Sequence, residues 1–261
     1  MRDLVTAPKL YQFKQEGRKI VCITAYDTTS ASLAEAAGVD VILVGDSAAN
    51  VLFGESTTLP LSLETMATMV RSVSRAAHRS FVVADMPFGT YGASLDQTVK
   101  HAVMLMKSGA QAVKIEGCLE EEIWALGRIG IPVMGHLGMT PQSIHNFGGF
   151  RVQGRGEEGS LIAEQAQRIQ DAGVFAMVLE LIPQELATSI SKQLDIPTIG
   201  IGAGPGCDGQ IQVWHDLLGL QEEEYRHAKR YCNLRETILS ALGEYSEEVR
   251  HSKFPTSENS F

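Results

Sequence analysis

The sequence predicts an α/β protein whose eight parallel strands alternate with helices and close into a (β/α)8 TIM barrel. Three observations carry that prediction. Short apolar runs alternate with helix-like segments from end to end, a pattern that favours a parallel sheet. Eight such units occupy 261 residues without a linker, close to the roughly 250 residues typical of this barrel. Four of the runs end in an acid: Val41–Asp46, Phe81–Asp85, Ala112–Glu116 and Phe175–Glu180. A doubly wound sheet is the alternative. It wants a glycine-rich fingerprint after its first strand, and Thr24-Ala25-Tyr26-Asp27 is not one.

Residues 1–17 are polar and mixed and read as a short lead-in helix. Lys19–Thr24 is the first strand and Ala25–Asp27 its exit. The Ala-rich stretch Thr28–Ala37 is helical and stops at Gly38. Asp40–Asp46 is the second strand. Its unbroken apolar run suits burial on both faces, and period-two alternation sets Ile42, Val44 and Asp46 on one side. Ala48–Pro60 reads as a long loop. Ser62 caps a helix with Leu63, Met66, Ala67, Val70 and Val73 on one face. Ser80–Asp85 is the third strand, broken by Pro87. Ser94–Gln97 has the capping-box pattern. Its helix places Val99, Ala102, Val103 and Met106 on one face and ends at Gly109.

Gln111–Glu116 is the fourth strand, Glu120–Gly127 a short helix and Pro132–His136 the fifth strand. The glycine-rich stretch Leu137–Glu158 is a long loop, and long loops inside compact domains are usually functional. A helix over Leu161–Ala172 stops at Gly173. Val174–Glu180 is the sixth strand, and Pro183 suits the first position of a helix Gln184–Gln193. Pro197–Ile201 and Gln210–Val213 complete the barrel. A closing helix spans about Glu223–Ser246, and Glu247–Phe261 is a polar tail. One domain over residues 1–261 is expected.

Composition narrows the function. Apolar residues make up 44% and charged ones 20%, ordinary for a soluble globular chain. A net charge of −9 argues against nucleic acid or an anionic membrane as the main partner. No apolar run approaches the ~20 residues of a membrane span, and the N-terminus lacks the apolar core of a signal peptide. The four cysteines are widely spaced with no CxxC, which reads as reduced thiols in a cytoplasmic protein without zinc.

In a barrel of this kind the strand ends meet on one face, where chemistry sits. Asp46, Asp85, Glu116, His136 and Glu180 then converge. Any one acid alone reads as the cap of a following helix; four together point to a site. Asp46, Asp85 and Glu116 offer hard oxygen ligands, which select Mg²⁺ or Mn²⁺ over Zn²⁺. Lys114 shares a face with Glu116 and is either a salt-bridge partner or the cation for a substrate carboxylate. Glu180, above Ala176 and Val178, has the apolar setting of a general base, or is a paired structural acid. His136 is either a substrate hydrogen-bond donor or a satisfied core histidine. Gly200–Gly204 is either a phosphate cradle or, the preferred reading, a tight turn. Ser47 lacks the GxSxG setting of a nucleophile.

The segments Thr24–Asp27, Val44–Ser47, Ala84–Gly89, Val113–Gly117, Gly135–Ser143, Val152–Arg155, Val178–Glu180, Pro197–Gly204 and Asp208–Gln210, with Phe254-Pro255 and Ser260-Phe261 near the end, resemble the ketopantoate hydroxymethyltransferase family. The resemblance covers nearly the whole chain from Lys9. It implies a barrel of the phosphoenolpyruvate/pyruvate superfamily, a homodecamer, and transfer of a one-carbon unit from 5,10-methylenetetrahydrofolate to 3-methyl-2-oxobutanoate. It implies one Mg²⁺ per subunit on Asp46 and Asp85, supported through water by Glu116. Ser47 and Lys114 would hold the 2-oxo acid carboxylate, and Glu180 would be the base. The chain departs from the family at Ala48-Ala49-Asn50, Thr68-Met69, Cys118 and Asn259 without losing a named ligand. Two other readings compete. A lyase of the isocitrate-lyase kind wants a Lys-Lys-Cys-Gly-like loop, which is absent. A scaffold barrel would have shed its acids, and all four are present.

Overall fold

The computed structural model describes residues 4–261. The chain forms two compact units, one ending at Trp214 and one of His215–Phe261. The first contains a closed barrel in which every strand is parallel to its neighbours, in sequence order. The strands are β1 (Ile20–Thr24), β2 (Val41–Val44), β3 (Phe81–Asp85), β4 (Ala112–Glu116), β5 (Val133–Gly138), β6 (Ala176–Glu180), β7 (Thr198–Ile201) and β8 (Gly209–Gln212). The predicted (β/α)8 class is therefore the one observed.

The barrel interior is apolar at one end and charged at the other. Phe81 and Val83, Ala112, Met134, and Ala176 and Val178 belong to one buried cluster, which Leu10 and Phe13 of the helix Ala7–Gln15 join. Continuing the alternation along each strand brings Asp85, Lys114 with Glu116, His136 and Glu180 to the same inward face. Pairing sets them side by side: Asp85 lies opposite Lys114, Glu116 opposite His136, and Gly138 opposite Glu180.

Asp46 is different. Val41 and Leu43 supply the interior cluster, so Ile42 and Val44 face the other way. The strand ends at Val44, and Asp46 reaches the interior only because the chain turns after Gly45. The expectation that Ile42, Val44 and Asp46 share a side fails for that reason.

The helices follow the sequence signals with some corrections. Asp27 and Ser30 form a capping box for Thr28–Ala37, which ends at Gly38 in the left-handed region, φ 85°. The Ser62 hydroxyl accepts from the Thr65 amide at the start of Leu63–Ser74. Ser94 precedes Leu95–Lys107 but makes no side-chain cap. The hydroxyl of buried Thr98 is engaged there instead, accepting from the Gly92 amide and donating to the Ser94 carbonyl. The buried face is Thr98, Ala102 and Leu105 rather than Val99, Val103 and Met106. Pro183 sits just before Gln184–Gln193, not within it. The expected loops hold short elements: a single helical turn at Ala48–Val51, a 3-10 turn at Pro141–Ser143 and another helical turn at Ile144–Phe147. The helix expected from Leu161 begins at Glu158.

The expected closing helix over 223–246 is not continuous. Helix Trp214–Leu218 comes first, and Leu234–Arg250 begins only after Asn233 caps the Glu236 amide. Between them the Arg230 guanidinium donates to the carbonyls of Gln221, Glu222 and Glu223, which holds that stretch out of a helix. The tail is helical as far as Arg250 and has a 3-10 turn at Ser257–Asn259. Among the described residues no helix is long and apolar enough to cross a membrane.

Candidate active site

Asp85, Glu116 and Glu180 are the last residues of β3, β4 and β6, and Lys114 and His136 lie within β4 and β5. Asp46, Asp85, Lys114, Glu116 and His136 are all buried. Lys114 Nζ lies 2.6 Å from Asp85 Oδ1 and 3.5 Å from Glu116 Oε1. His136 bridges onward, with Nδ1 3.3 Å from Glu116 Oε1 and Nε2 3.3 Å from Glu180 Oε2. The Asp46 amide donates to Asp85 Oδ2 at 3.2 Å. The six groups thus form one connected constellation. Ser47 is held differently: its hydroxyl meets Tyr26 Oη at 2.9 Å, and Tyr26 also accepts from Thr24.

The charge balance of this cluster is uneven. Burial, then the neighbouring Asp85 and Glu116, lift the Asp46 carboxyl to about 8. Burial also raises Asp85, against the pull of Lys114. For Glu116 burial is overcome by Lys114 and the nearby His136, and its pKa falls. Burial and Lys114 both disfavour a charged His136, but the nearby Glu116 and Glu180 carboxylates prevail and raise it to about 9. Lys114 stays charged because Asp85, Glu116 and Asp46 outweigh its burial. Its Nζ is 3.2 Å from His136 Nδ1, an approach of two cations that only the surrounding acids make tolerable.

A family model described as ketopantoate hydroxymethyltransferase matches residues 4–257. The 3-methyl-2-oxobutanoate hydroxymethyltransferase of Trichlorobacter lovleyi is 48% identical over 100% of both chains. That of a Cyanothece species is 50% identical over 97% of this chain and 99% of its own. The chain belongs to the ketopantoate hydroxymethyltransferase family. As a family member it is a hydroxymethyltransferase that forms ketopantoate from 3-methyl-2-oxobutanoate. Among solved structures, phosphonopyruvate hydrolase in complex with oxalate and Mg²⁺ aligns over 98% of this chain and 93% of its own, with TM-score 0.64 at 14% identity. A 2,3-dimethylmalate lyase covers 99% and 92%, with TM-score 0.61 at 18% identity. At that identity the likeness is one of fold.

The donor set of the cluster fits a hard divalent cation. Asp85 Oδ1 and Glu116 Oε1 are buried without a directed hydrogen bond, although Lys114 and His136 stand within ion-pair distance. Three carboxylates crowd together here, and burial first, then Asp85 and Glu116, raise the Asp46 pKa. Among the described residues no three His, Cys, Asp or Glu side chains form a metal cage. Mg²⁺ does not need one, since it is usually bound by one or two carboxylates with water and substrate oxygens filling the rest.

One expectation needs correction: Glu180 is not enclosed by apolar side chains; its side chain is partly exposed and lies within ion-pair distance of His136. Gly200–Gly204 is a packed turn, the reading preferred from the sequence, in which a Cβ on Gly204 would lie 2.4 Å from Gln184 Cβ. Sequence reasoning gave two residues no role. Gln142 donates to the Asp46 and Glu116 carboxylates and the Tyr91 hydroxyl accepts from the Glu116 amide; the sequence cue was Gln142's place in the segment Gly135–Ser143 after a strand end.

Proposed function

We propose that this family member takes its one-carbon unit from 5,10-methylenetetrahydrofolate, and that it works with one Mg²⁺ held by Asp46 and Asp85 and supported through water by Glu116. The observation that carries this reading is the buried Asp46–Asp85–Lys114–Glu116 group, which lies one histidine away from the more exposed Glu180. When bound, Mg²⁺ would act as a Lewis acid on the 2-oxo group and so acidify the hydrogen on C3. Lys114, with Ser47 beside the cluster, binds the substrate carboxylate and fixes the 2-oxo acid at the mouth. Glu180 takes the C3 proton. Water cleaves the two C–N bonds that hold the methylene carbon to the folate, so that tetrahydrofolate leaves with its nitrogens protonated and the carbon is released as formaldehyde. The electron pair left on C3 then bonds to that carbon, and its oxygen takes up a proton to become the new hydroxyl. His136 Nε2 stands 3.3 Å from Glu180 Oε2, within ion-pair distance, and would steady the carboxylate by its charge. Four free cysteines accord with a reducing, cytoplasmic setting. Exposed Ile238, Leu239, Leu242, Tyr245 and Val249 on helix Leu234–Arg250 offer an apolar surface that a homo-oligomer, a decamer in our reading, would cover.

The test separates the proton step from the folate. In D₂O with Mg²⁺ and 3-methyl-2-oxobutanoate alone, the C3 hydrogen should exchange for deuterium, followed by proton NMR of the methine signal. Glu180→Gln keeps the shape and removes the basicity, and exchange should fall by the roughly 10²–10⁴-fold due to a general base. Exchange that persists in this variant moves the base elsewhere, with His136 next in line. If the wild type exchanges only after a non-reactive folate analogue is added, folate must bind before the proton leaves.

A further inference from the structure

The segment after β5 carries a residue that reaches two members of the carboxylate cluster, one through its backbone amide and one through its side chain. Gln142, in the 3-10 turn Pro141–Ser143, is buried. Its backbone amide donates to Glu116 Oε2 at 3.0 Å. Its side-chain Nε2 donates to Asp46 Oδ2 at 3.0 Å and to the Met86 carbonyl at 2.9 Å. Its Oε1 accepts from Tyr91 Oη at 2.7 Å, and Tyr91 Oη in turn accepts from the Glu116 amide at 3.1 Å. The network admits one orientation of the amide. Reversed, Oε1 would face the Met86 carbonyl, which has no proton to offer, and would lose the Tyr91 donor.

From this geometry we infer that Gln142 is a positioning residue for the metal, locked by Tyr91 so that its amide anchors Asp46 Oδ2 and leaves Asp46 Oδ1 to the cation. The inference rests on the proposed Mg²⁺ site. Two carboxylates from different strand ends must be held at a fixed separation although charge repulsion drives them apart. Gln142 reaches both, Glu116 through its backbone and Asp46 through its side chain. Partners that orient ligands in this way typically contribute about 10–100-fold in metal affinity.

The experiment is calorimetric titration of Mg²⁺ into full-length protein, with and without 3-methyl-2-oxobutanoate. Gln142→Met keeps the side-chain length and removes both donors. We expect a folded variant by circular dichroism, an Mg²⁺ Kd raised about 10–100-fold, and a KM for the oxo acid that returns toward wild type at saturating Mg²⁺. An unchanged Kd, whether or not the melting temperature falls, overturns the inference and leaves Gln142 a structural prop. If Gln142→Met does not fold, Tyr91→Phe decides: it frees the amide and leaves its donors. A Kd raised by a smaller factor supports the inference, and an unchanged one overturns it. A wild type that binds no Mg²⁺ removes the metal from the proposed function and this inference with it. A wild type that binds Mg²⁺ beside an equally competent Gln142→Met overturns this inference alone.

Discussion

Lys114→Met separates the two roles open to a buried lysine among acids. Lys114 is 3% exposed and its Nζ lies 2.6 Å from Asp85. At that distance the gross attraction is about 6 kcal/mol for an effective dielectric near 20. Desolvation of both ions offsets much of it, yet removing one partner of a buried pair still costs about 3–5 kcal/mol. The loss is large against the 5–15 kcal/mol, roughly, that holds a domain together. It corresponds to a fall in melting temperature on the order of 10 °C for a chain of this size. Metal binding should move the other way. Methionine no longer repels a divalent cation, so the variant should bind Mg²⁺ at least as tightly as wild type, and added Mg²⁺ should recover more stability in the variant. Oxo-acid affinity should fall, because the carboxylate has lost its counter-ion. Thermal melts with and without Mg²⁺, and a KM for the oxo acid at saturating Mg²⁺, check all three. A melting temperature within a degree or two of wild type would refute the charge-balance argument. An unaltered KM would leave Lys114 a salt-bridge residue with no substrate role.

Three further outcomes are expected. Asp85→Ala should abolish Mg²⁺ binding in the presence of the oxo acid while far-UV circular dichroism stays unchanged, and undiminished binding would exclude Asp85 as a ligand. Gly138→Ala forces φ +94° on a non-glycine residue and brings a Cβ to 2.2 Å from the Glu180 carbonyl oxygen, so beyond the roughly 1–3 kcal/mol of backbone strain it should lower kcat by displacing Glu180; a normal kcat would show that β6 yields without consequence. With an aromatic disulfide reagent on native protein, exposed Cys232 should react quickly and buried Cys22 and Cys207, whose thiols burial pushes up, only on unfolding; equal rates would contradict the burial.

The barrel was legible because its signals are local and repeated. Apolar runs of strand length, glycine stops at Gly38 and Gly173, and the cap at Ser62 each report on backbone within a few residues. The misreadings share a different cause. At Ser94 a capping pattern is present, but the hydroxyl of Thr98 is engaged at that helix start instead. The buried face of Leu95–Lys107 is set by packing against β4 and the helices beside it, which periodicity alone does not contain. Arg230 breaks the closing helix by binding carbonyls seven to nine residues away, beyond the reach of a propensity argument.

The site divides along the same line. Asp85, Glu116, His136 and Glu180 could be read because each sits on a strand whose apolar members fix its direction. Phe81 and Val83 lie below Asp85, Ala112 below Lys114 and Glu116, Met134 below His136, and Ala176 and Val178 below Glu180. A one-residue slip of any strand would turn its apolar residues out and its charged residue with them. The packing that fills the barrel is therefore also what aims its chemistry, and a substitution in the apolar layer that shifts register disturbs both. Asp46 and Gln142 have no such layer beneath them. They reach the cluster through turns, after Gly45 and after Pro141, and are held there by long-range hydrogen bonds, to Asp85 and Glu116 and to each other across 96 residues of sequence. Strand register delivers five of the six charged groups, whereas Asp46 arrives by a turn and is held by two contacts, its amide on Asp85 and its carboxylate on Gln142 of the β5 loop. The geometry of the proposed metal site is thus the part of this fold most open to change by loop substitution.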